Sequence, residues 1–346
     1  MRRDEVRDDT PARPAPIMTA SPAPRSMTTI GEFELIERWF TRAPRRAALG
    51  VGDDCALIAP AFGHELAVST DLLIEGRHFL STVDPERLGH KALAVNLSDL
   101  AACGASPVAY TLGLALPHVD ERFLDGFARG LHALADSHAI DLVGGDTTRG
   151  PLAIAITVFG EVPAGTALRR SGARAGDTVW VSGSLGDARL ALEAFRGTVD
   201  LPGHALARVR RAMETPEPRV ALGVALRGLA TSAIDVSDGF VGDLEHVLRA
   251  SSVGATIDVD ALPRSADLRA QPAALQRLCT LAGGDDYELV FTAPAAFGER
   301  VQEAAATSDV AVSAVGRIEA RVGLRLVDAR GDAVSERPAA FDHFRA

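Results

Sequence analysis

Apolar residues recur along this chain at two periods, and the stretches where each period holds predict its elements. In TIGEFELIERWF, Ile30, Phe33, Ile36 and Phe40 fall at helical spacing, so ordered structure is expected from Thr29. Short β-like runs follow in ELAVSTDLLIEGRHF. Next come a helix from about Pro85 to Cys103, a strand in PVAYTLGLALP and a helix from about Asp120 to Ser137. IDLVGGDTTRG reads as a loop with an acidic motif, and PLAIAITVFGEVP as a strong strand. Near Gly165 the texture changes. RSGARAGDTVWVSGSLGDARLALEAF has the order turn, buried strand, Gly/Ser loop, helix, as expected where a second αβ domain opens. Helices are predicted between about 203 and 230 and, after SAIDVSDGF, to about Ala250, with a strand in GATIDVD and helical sequence to about 280. GGDDYELVFT then joins a Gly-rich turn to a strand, and short strands are expected near Val310 and Leu324. Residues 1–28, rich in Pro, Ala and Arg without apolar periodicity, read as a disordered tail. Two domains, 29–165 and 166–346, follow from this division and from a length of 346 residues, more than one core usually organises.

Composition narrows the function classes. A formal net charge of -10, with no basic cluster clear of acidic neighbours, argues against nucleic acid as a partner. No apolar run approaches the roughly 18 residues of a membrane span, and the tail has neither the apolar centre of a secretory signal nor the acid-poor character of a transit peptide. Cys55, Cys103 and Cys279 are odd in number and widely spaced, which fits small core residues in a reducing, cytoplasmic compartment. Lys91 is the only lysine among many arginines. It lies either on a solvated helix face or at a site.

The chemistry sits in a repeated device, an apolar run ending in Asp beside Gly, Ser or Thr. It occurs in GVGDD (50–54), STD (69–71), NLSDL (96–100), GGDTT (144–148) and IDVSDG (234–239). One such motif is commonplace turn chemistry, whereas five together supply the hard oxygen donors that a divalent cation needs beside a polyphosphate. In IDVSDG, alternation along an extended strand places Asp235 and Ser237 on one side and Val236 on the other. No GxxxxGK[ST] loop, kinase HRD or DFG set, or HExxH is present. VSGSLGDA at 181–188 lies between a strand and a helix. Its backbone N–H groups either face a phosphate or merely close the turn.

GEFELIERWF, GVGDDCALI, STDLLIEGRHF, KALAVNLSDLAACGASP, GGDTTRGP, RSGARAGD, SAIDVSDG, GGDDYELVFT and AFDHF occur in the order found in bacterial thiamine-monophosphate kinases, and from about residue 29 to 346 the chain resembles that family. The wider superfamily, which includes aminoimidazole ribonucleotide synthetase, selenophosphate synthetase and a hydrogenase maturation factor, shares only part of the set. The resemblance implies an α+β, two-domain aminoimidazole ribonucleotide synthetase-like fold. Its N-terminal sheet-plus-helices domain would pair with a second subunit in a homodimer, with ATP between it and a C-terminal α/β domain. It implies Mg²⁺ ligands at Asp54, Thr70, Asp71, Asp99, Asp146, Asp235 and Asp238, with Ser69 adjoining and Asp53 a weaker candidate. It implies nucleotide contacts at Gly145, Asp146, Arg170 and Ser237, and contacts to thiamine monophosphate at His78, Asp285 and Phe341. Asp285 stands where Glu is usual and Phe341 where Tyr or Trp is common. The expected reaction is direct in-line γ-phosphoryl transfer with several Mg²⁺ ions and no general base. A related ATP-using synthetase lacks its reactive Cys or selenocysteine signatures here, and a non-catalytic nucleotide- or thiamine-phosphate-binding regulator should lack the acidic motifs.

Overall fold

The computed structural model describes residues 30–52 and 54–335. Asp53, Phe341 and the 1–28 tail lie outside the described residues.

The first half runs α1 (Glu32–Trp39), β1 (His64–Ile74), α2 (Pro85–Ala102), β2 (Ser106–Leu116), α3 (Glu121–Ser137), β3 (Asp141–Arg149) and β4 (Ala153–Pro163). Its strands form a four-stranded sheet in the order β1-β4-β2-β3, antiparallel except for the β2–β3 pair. The second half runs β5 (Asp177–Ser182), α4 (Asp187–Phe195), α5 (Gly203–Glu214), α6 (Val220–Ala225), β6 (Ser232–Asp235), α7 (Phe240–Ser251) and β7 (Gly254–Asp258). It continues with α8 (Ala266–Arg269), α9 (Ala273–Ala282), β8 (Leu289–Pro294), α10 (Gly298–Thr307), β9 (Val312–Glu319) and β10 (Gly323–Val327). These strands form a six-stranded sheet in the order β10-β7-β9-β5-β8-β6, with only β10–β7 parallel. The class is α+β.

Three expectations change. IDLVGGDTTR is a strand, not a loop: Gly, Asp and Thr weaken its intrinsic signal, but parallel pairing with β2 satisfies its backbone, with an irregularity between Tyr110 and Thr111. In α1 the buried face is Leu35 and Trp39, and Phe33 is exposed; the Trp39 indole donates to Asp125 at 2.7 Å. Cys55 is exposed rather than a core residue, whereas Cys279 is buried.

The helix α2 explains how the halves join. Asp84 caps it, accepting from the Glu86 and Arg87 backbone N–H groups, and Pro85 starts it. It is buried nearly all round, packing on the first sheet and α3 on one side and on α6 and β6 on the other. The approach to α3 requires glycine, since a Cβ at Gly89 would lie 2.0 Å from the Phe127 carbonyl oxygen and one at Gly130 would lie 1.7 Å from that of Glu86. One apolar core therefore runs from Leu112 and Ile156 of the first sheet, through Leu93 and Leu97 of α2, to Leu222, Ala233 and Phe291 of the second half.

The two faces of the first sheet differ. Cross-strand partners share a face. Asp71, Ile156, Leu112 and Gly145 are in register on the side toward α2, and Leu72, Ala155, Gly113 and Asp146 on the opposite side. On that opposite side the edge strand β1 exposes Leu66, Val68, Leu72 and Ile74 by 40–57%. One end is covered by Ala47, Ala56 and Ile58 packing toward Val108, Val143 and Phe159.

Candidate active site between the two halves

A cavity of about 910 Å³ opens where α2, the end of β1, the 76–83 turn, α4 and the segments leading into α7 and β8 meet. Its lining includes Asp71, Asp99, Asp235 and Asp238 at one end and Leu80, Val83, Phe195 and Met213 elsewhere. Lys91, Val95 and Asp99 line it from α2 at intervals of four, the spacing that aligns side chains along one helix face.

The acidic end is built by long-range hydrogen bonds. Ser69 of β1 donates its hydroxyl to Asp99, and Ser98 of α2 donates to the buried Asp235 at 2.7 Å. Asn96 accepts the Asp71 backbone N–H at 3.0 Å, fixing β1 against α2. Beyond β6, Val236 is buried in the core of the second half while Asp235 and Ser237 line the cavity, as strand alternation predicts. The turn that follows is held by Asp243, whose carboxylate accepts the N–H groups of Ser237, Asp238 and Gly239 at 3.1 Å each. Gly239 has φ +115°, and a Cβ there would meet the Ala282 backbone at 2.8 Å.

Crowding of carboxylates sets the electrostatics. Burial, then repulsion from Asp99 and Asp238, pushes Asp71 up to about 6. Burial, then Asp99, pushes Asp235 up to about 8 despite the Ser98 hydrogen bond. Asp99 is also raised by burial, opposed by Ser69 and by the positive charge of Arg170. Side chains that resist ionising together are suited to a cation among them. Among the described residues no three His, Cys, Asp or Glu side chains are placed to hold a metal ion unaided. Magnesium typically completes its octahedron with water and phosphate oxygens, so the donor set fits that ion with a polyphosphate present.

Not every residue assigned from the sequence converges here. Ser69, Asp71, Asp99, Asp235 and Asp238 do, with Ser237 in the lining and Arg170 near Asp99. Thr70 hydrogen-bonds Thr157 on the opposite face of the sheet at 2.8 Å. By register Asp146 shares that opposite face, and Asp54 is exposed. Thr70 and Asp146 therefore lie on the other face of the first sheet from Asp71. The cause is the period of two along β1, which turns Thr70 and Asp71 to opposite sides. Gly145 lies by register on the α2 side but not in the lining.

His78 and Asp285 both line the cavity. The Ile74 backbone N–H donates to His78 Nδ1 at 3.0 Å, which places the ring proton on Nε2. Asp285, at φ +62°, accepts from Lys91 Nζ at 2.6 Å. GGDDYEL thus sends its three acids to different partners. Asp286 accepts the Gly186 N–H at 2.9 Å, and Glu288 takes a two-pronged bond from Arg219 at 2.8 and 2.6 Å and a third from the Ser182 hydroxyl. In the 181–188 loop, the N–H groups of Gly183, Leu185 and Gly186 are committed to Ala311, Pro263 and Asp286, so they close a turn rather than face a phosphate. Lys91, Asp243 and Glu288 went unassigned as site residues in the sequence because their meaning lies in partners 194, 4–6 and 69–106 positions away.

Comparison with known proteins accords with this architecture. The AIR synthase related protein, N-terminal domain, matches residues 52–162, and the corresponding C-terminal domain matches 174–329. Thiamine-monophosphate kinase of Salmonella typhimurium is 43% identical over 322 residues, spanning 91% of this chain and 98% of the relative. The crystal structure of thiamine-monophosphate kinase from Stenotrophomonas maltophilia K279a is 43% identical, with a TM-score of 0.78 over 83% of this chain and 92% of that one. The structure of AaThiL complexed with AMPPCP and TMP is 29% identical, with a TM-score of 0.72 over 83% and 89%. With such identity over nearly the whole length of a curated relative, this chain belongs to the thiamine-monophosphate kinase family.

Proposed function

We propose that this protein transfers the γ-phosphoryl group of ATP to thiamine monophosphate, giving thiamine diphosphate and ADP. The observation that carries this reading is a cavity, in a chain of this family, with crowded aspartates at one end and apolar walls elsewhere. An acceptor with an anionic phosphate and an aromatic body matches that division. The acceptor phosphomonoester is mostly dianionic at neutral pH, so no general base is required and the obstacle is bringing two anions together. Asp71, Asp99, Asp235 and Asp238 are the residues we assign to Mg²⁺, which when bound would neutralise charge on the phosphates. The resemblance adds Asp54, Thr70 and Asp146. Ser69 and Ser98 orient two of the carboxylates, and Asp243 fixes the turn that presents Ser237 and Asp238. We assign Arg170, Ser237 and Gly145 to the nucleotide and His78 to thiamine monophosphate. The deciding assay is ADP release from ATP and Mg²⁺ with thiamine monophosphate or thiamine as acceptor. Turnover of thiamine alone would overturn the acceptor assignment.

His78→Ala is expected to raise KM for thiamine monophosphate about tenfold, the scale of one lost hydrogen bond, while leaving KM for ATP unchanged. Steady-state kinetics with each substrate varied in turn will show the split, and a rise for ATP instead would move His78 to the nucleotide.

We also divide the chain into domains near residue 165, between the sheet that ends at Pro163 and the one that begins at Asp177. A homodimer would bury the apolar face of β1, on which Leu66, Val68, Leu72 and Ile74 are exposed side by side. Val68→Asp should then convert a dimer to a monomer in light scattering; a dimeric variant, or a monomeric wild type, would remove this interface. A cytoplasmic location agrees with the free thiols of Cys55, Cys103 and Cys279. No helix among the described residues is long and apolar enough to cross a membrane.

A further inference from the structure

Lys91 is the only lysine of the chain, and burying it is costly unless its charge is used. Its side chain is 3% exposed and lines the cavity from the same face of α2 as Asp99. Two turns of helix separate the two residues, about 12 Å at 1.5 Å per residue. Its partner Asp285 is different in kind. That side chain is 35% exposed on an irregular segment, where Asp285 and Tyr287 both have positive φ. Two arginines of the lining are committed elsewhere: Arg189 and Arg196 pair with Glu193. A buried cation facing a more exposed anion on an irregular segment is an arrangement in which the anion can be replaced.

We infer that Lys91 is the residue that recognises the phosphate of the acceptor, with Asp285 holding its ammonium until a phosphate oxygen takes that place. The inference rests on the reading of the cavity as the site of a thiamine-monophosphate kinase. In the reaction the bond between the γ-phosphorus and the β–γ bridging oxygen breaks, and its electron pair leaves with ADP. An acceptor phosphate oxygen forms the new bond to the γ-phosphorus. Lys91 offsets charge on the acceptor oxygens while Asp285 stands aside. This role also accounts for the position of the lysine, between the aspartates at one end of α2 and the apolar walls around Phe195 and Met213.

The test is calorimetric binding of thiamine monophosphate and of thiamine to the full-length protein, with turnover measured alongside. Lys91→Met is expected to lower affinity for thiamine monophosphate by about tenfold or more, the range of a lost charge-assisted hydrogen bond, and to leave affinity for thiamine unchanged. Because Lys91→Met leaves Asp285 without its cation, the double variant Lys91→Met/Asp285→Asn separates folding from recognition. It should recover thermal stability and keep the phosphate defect. Wild-type affinity for thiamine monophosphate in Lys91→Met, equal losses for both ligands, or recovery of binding in the double variant would each overturn the inference. A wild type that neither binds nor phosphorylates thiamine monophosphate would overturn the functional reading and this inference with it, so the two failures are told apart by the wild-type control.

Discussion

Asp99→Asn and Asp235→Asn are each expected to lower kcat by about 10² to 10⁴ at ordinary Mg²⁺, the effect of losing one metal-held charge in a phosphoryl transfer. Neither change removes a side chain's volume, so circular dichroism should match the wild type. Asp235 carries a second expectation of opposite sign. Its carboxyl is raised from 3.8 to about 8 by burial and by Asp99, so the folded state holds this proton more tightly than the unfolded chain. Ionising it therefore costs stability, progressively from about pH 4 to about pH 8, and below that window there is no penalty. In metal-free protein Asp235→Asn should raise Tm by a few degrees near pH 8 and by nothing near pH 4, while turnover collapses. Such an exchange of activity for stability is common where a site concentrates like charge. A variant that turns over normally would take Asp235 out of the phosphoryl-transfer machinery. A variant less stable than wild type at pH 8 would mean that the Ser98 hydrogen bond outweighs the repulsion.

Arg219→Met should destabilise the fold by about 3–5 kcal/mol, the range seen when one partner of a buried ion pair is removed. Glu288 is buried, and without the Arg219 fork it keeps only the Ser182 hydroxyl. Gly183 packs so closely on it that a Cβ would lie 1.9 Å from the carboxylate, leaving no room for the side chain to swing away. Chemical denaturation measures the loss, and Arg219→Met/Glu288→Gln should recover most of it, because the unpaired charge is then gone. A loss under about 1 kcal/mol would class the pair with ordinary surface bridges. Since Glu288 lies three residues beyond Asp285, the single variant should also weaken the placement of Asp285.

Much of this fold was readable because its long elements keep one period. The α3 stretch and the alternating run of β4 satisfy their patterns over many residues. The β3 strand was not readable, since Gly144, Gly145 and Asp146 carry no strand preference and only the neighbouring β2 makes them extended. In the site, the aspartates themselves were visible as motifs, yet their grouping was not. Thr70 and Asp71 are adjacent in sequence and opposed in space, a consequence of strand geometry that a motif matched as a word does not express. Asp243 and Lys91 were legible only as single charged letters, because their function depends on which backbone turn or carboxylate the fold brings to them.

The burial of α2 on both sides also bears on how this enzyme can move. Hinge closure needs a thin connection between two bodies, and here one apolar core crosses from the first sheet through Leu93 and Leu97 into the second. Opening the cavity by swinging the halves apart would expose that core, so substrate access is left to the 76–83 turn and the 283–287 segment, which line the cavity outside any helix or strand. In native-state hydrogen exchange the α2 amides should exchange only through global unfolding, with those two segments exchanging through local fluctuations. Exchange of α2 well below the global free energy would show that the halves part after all.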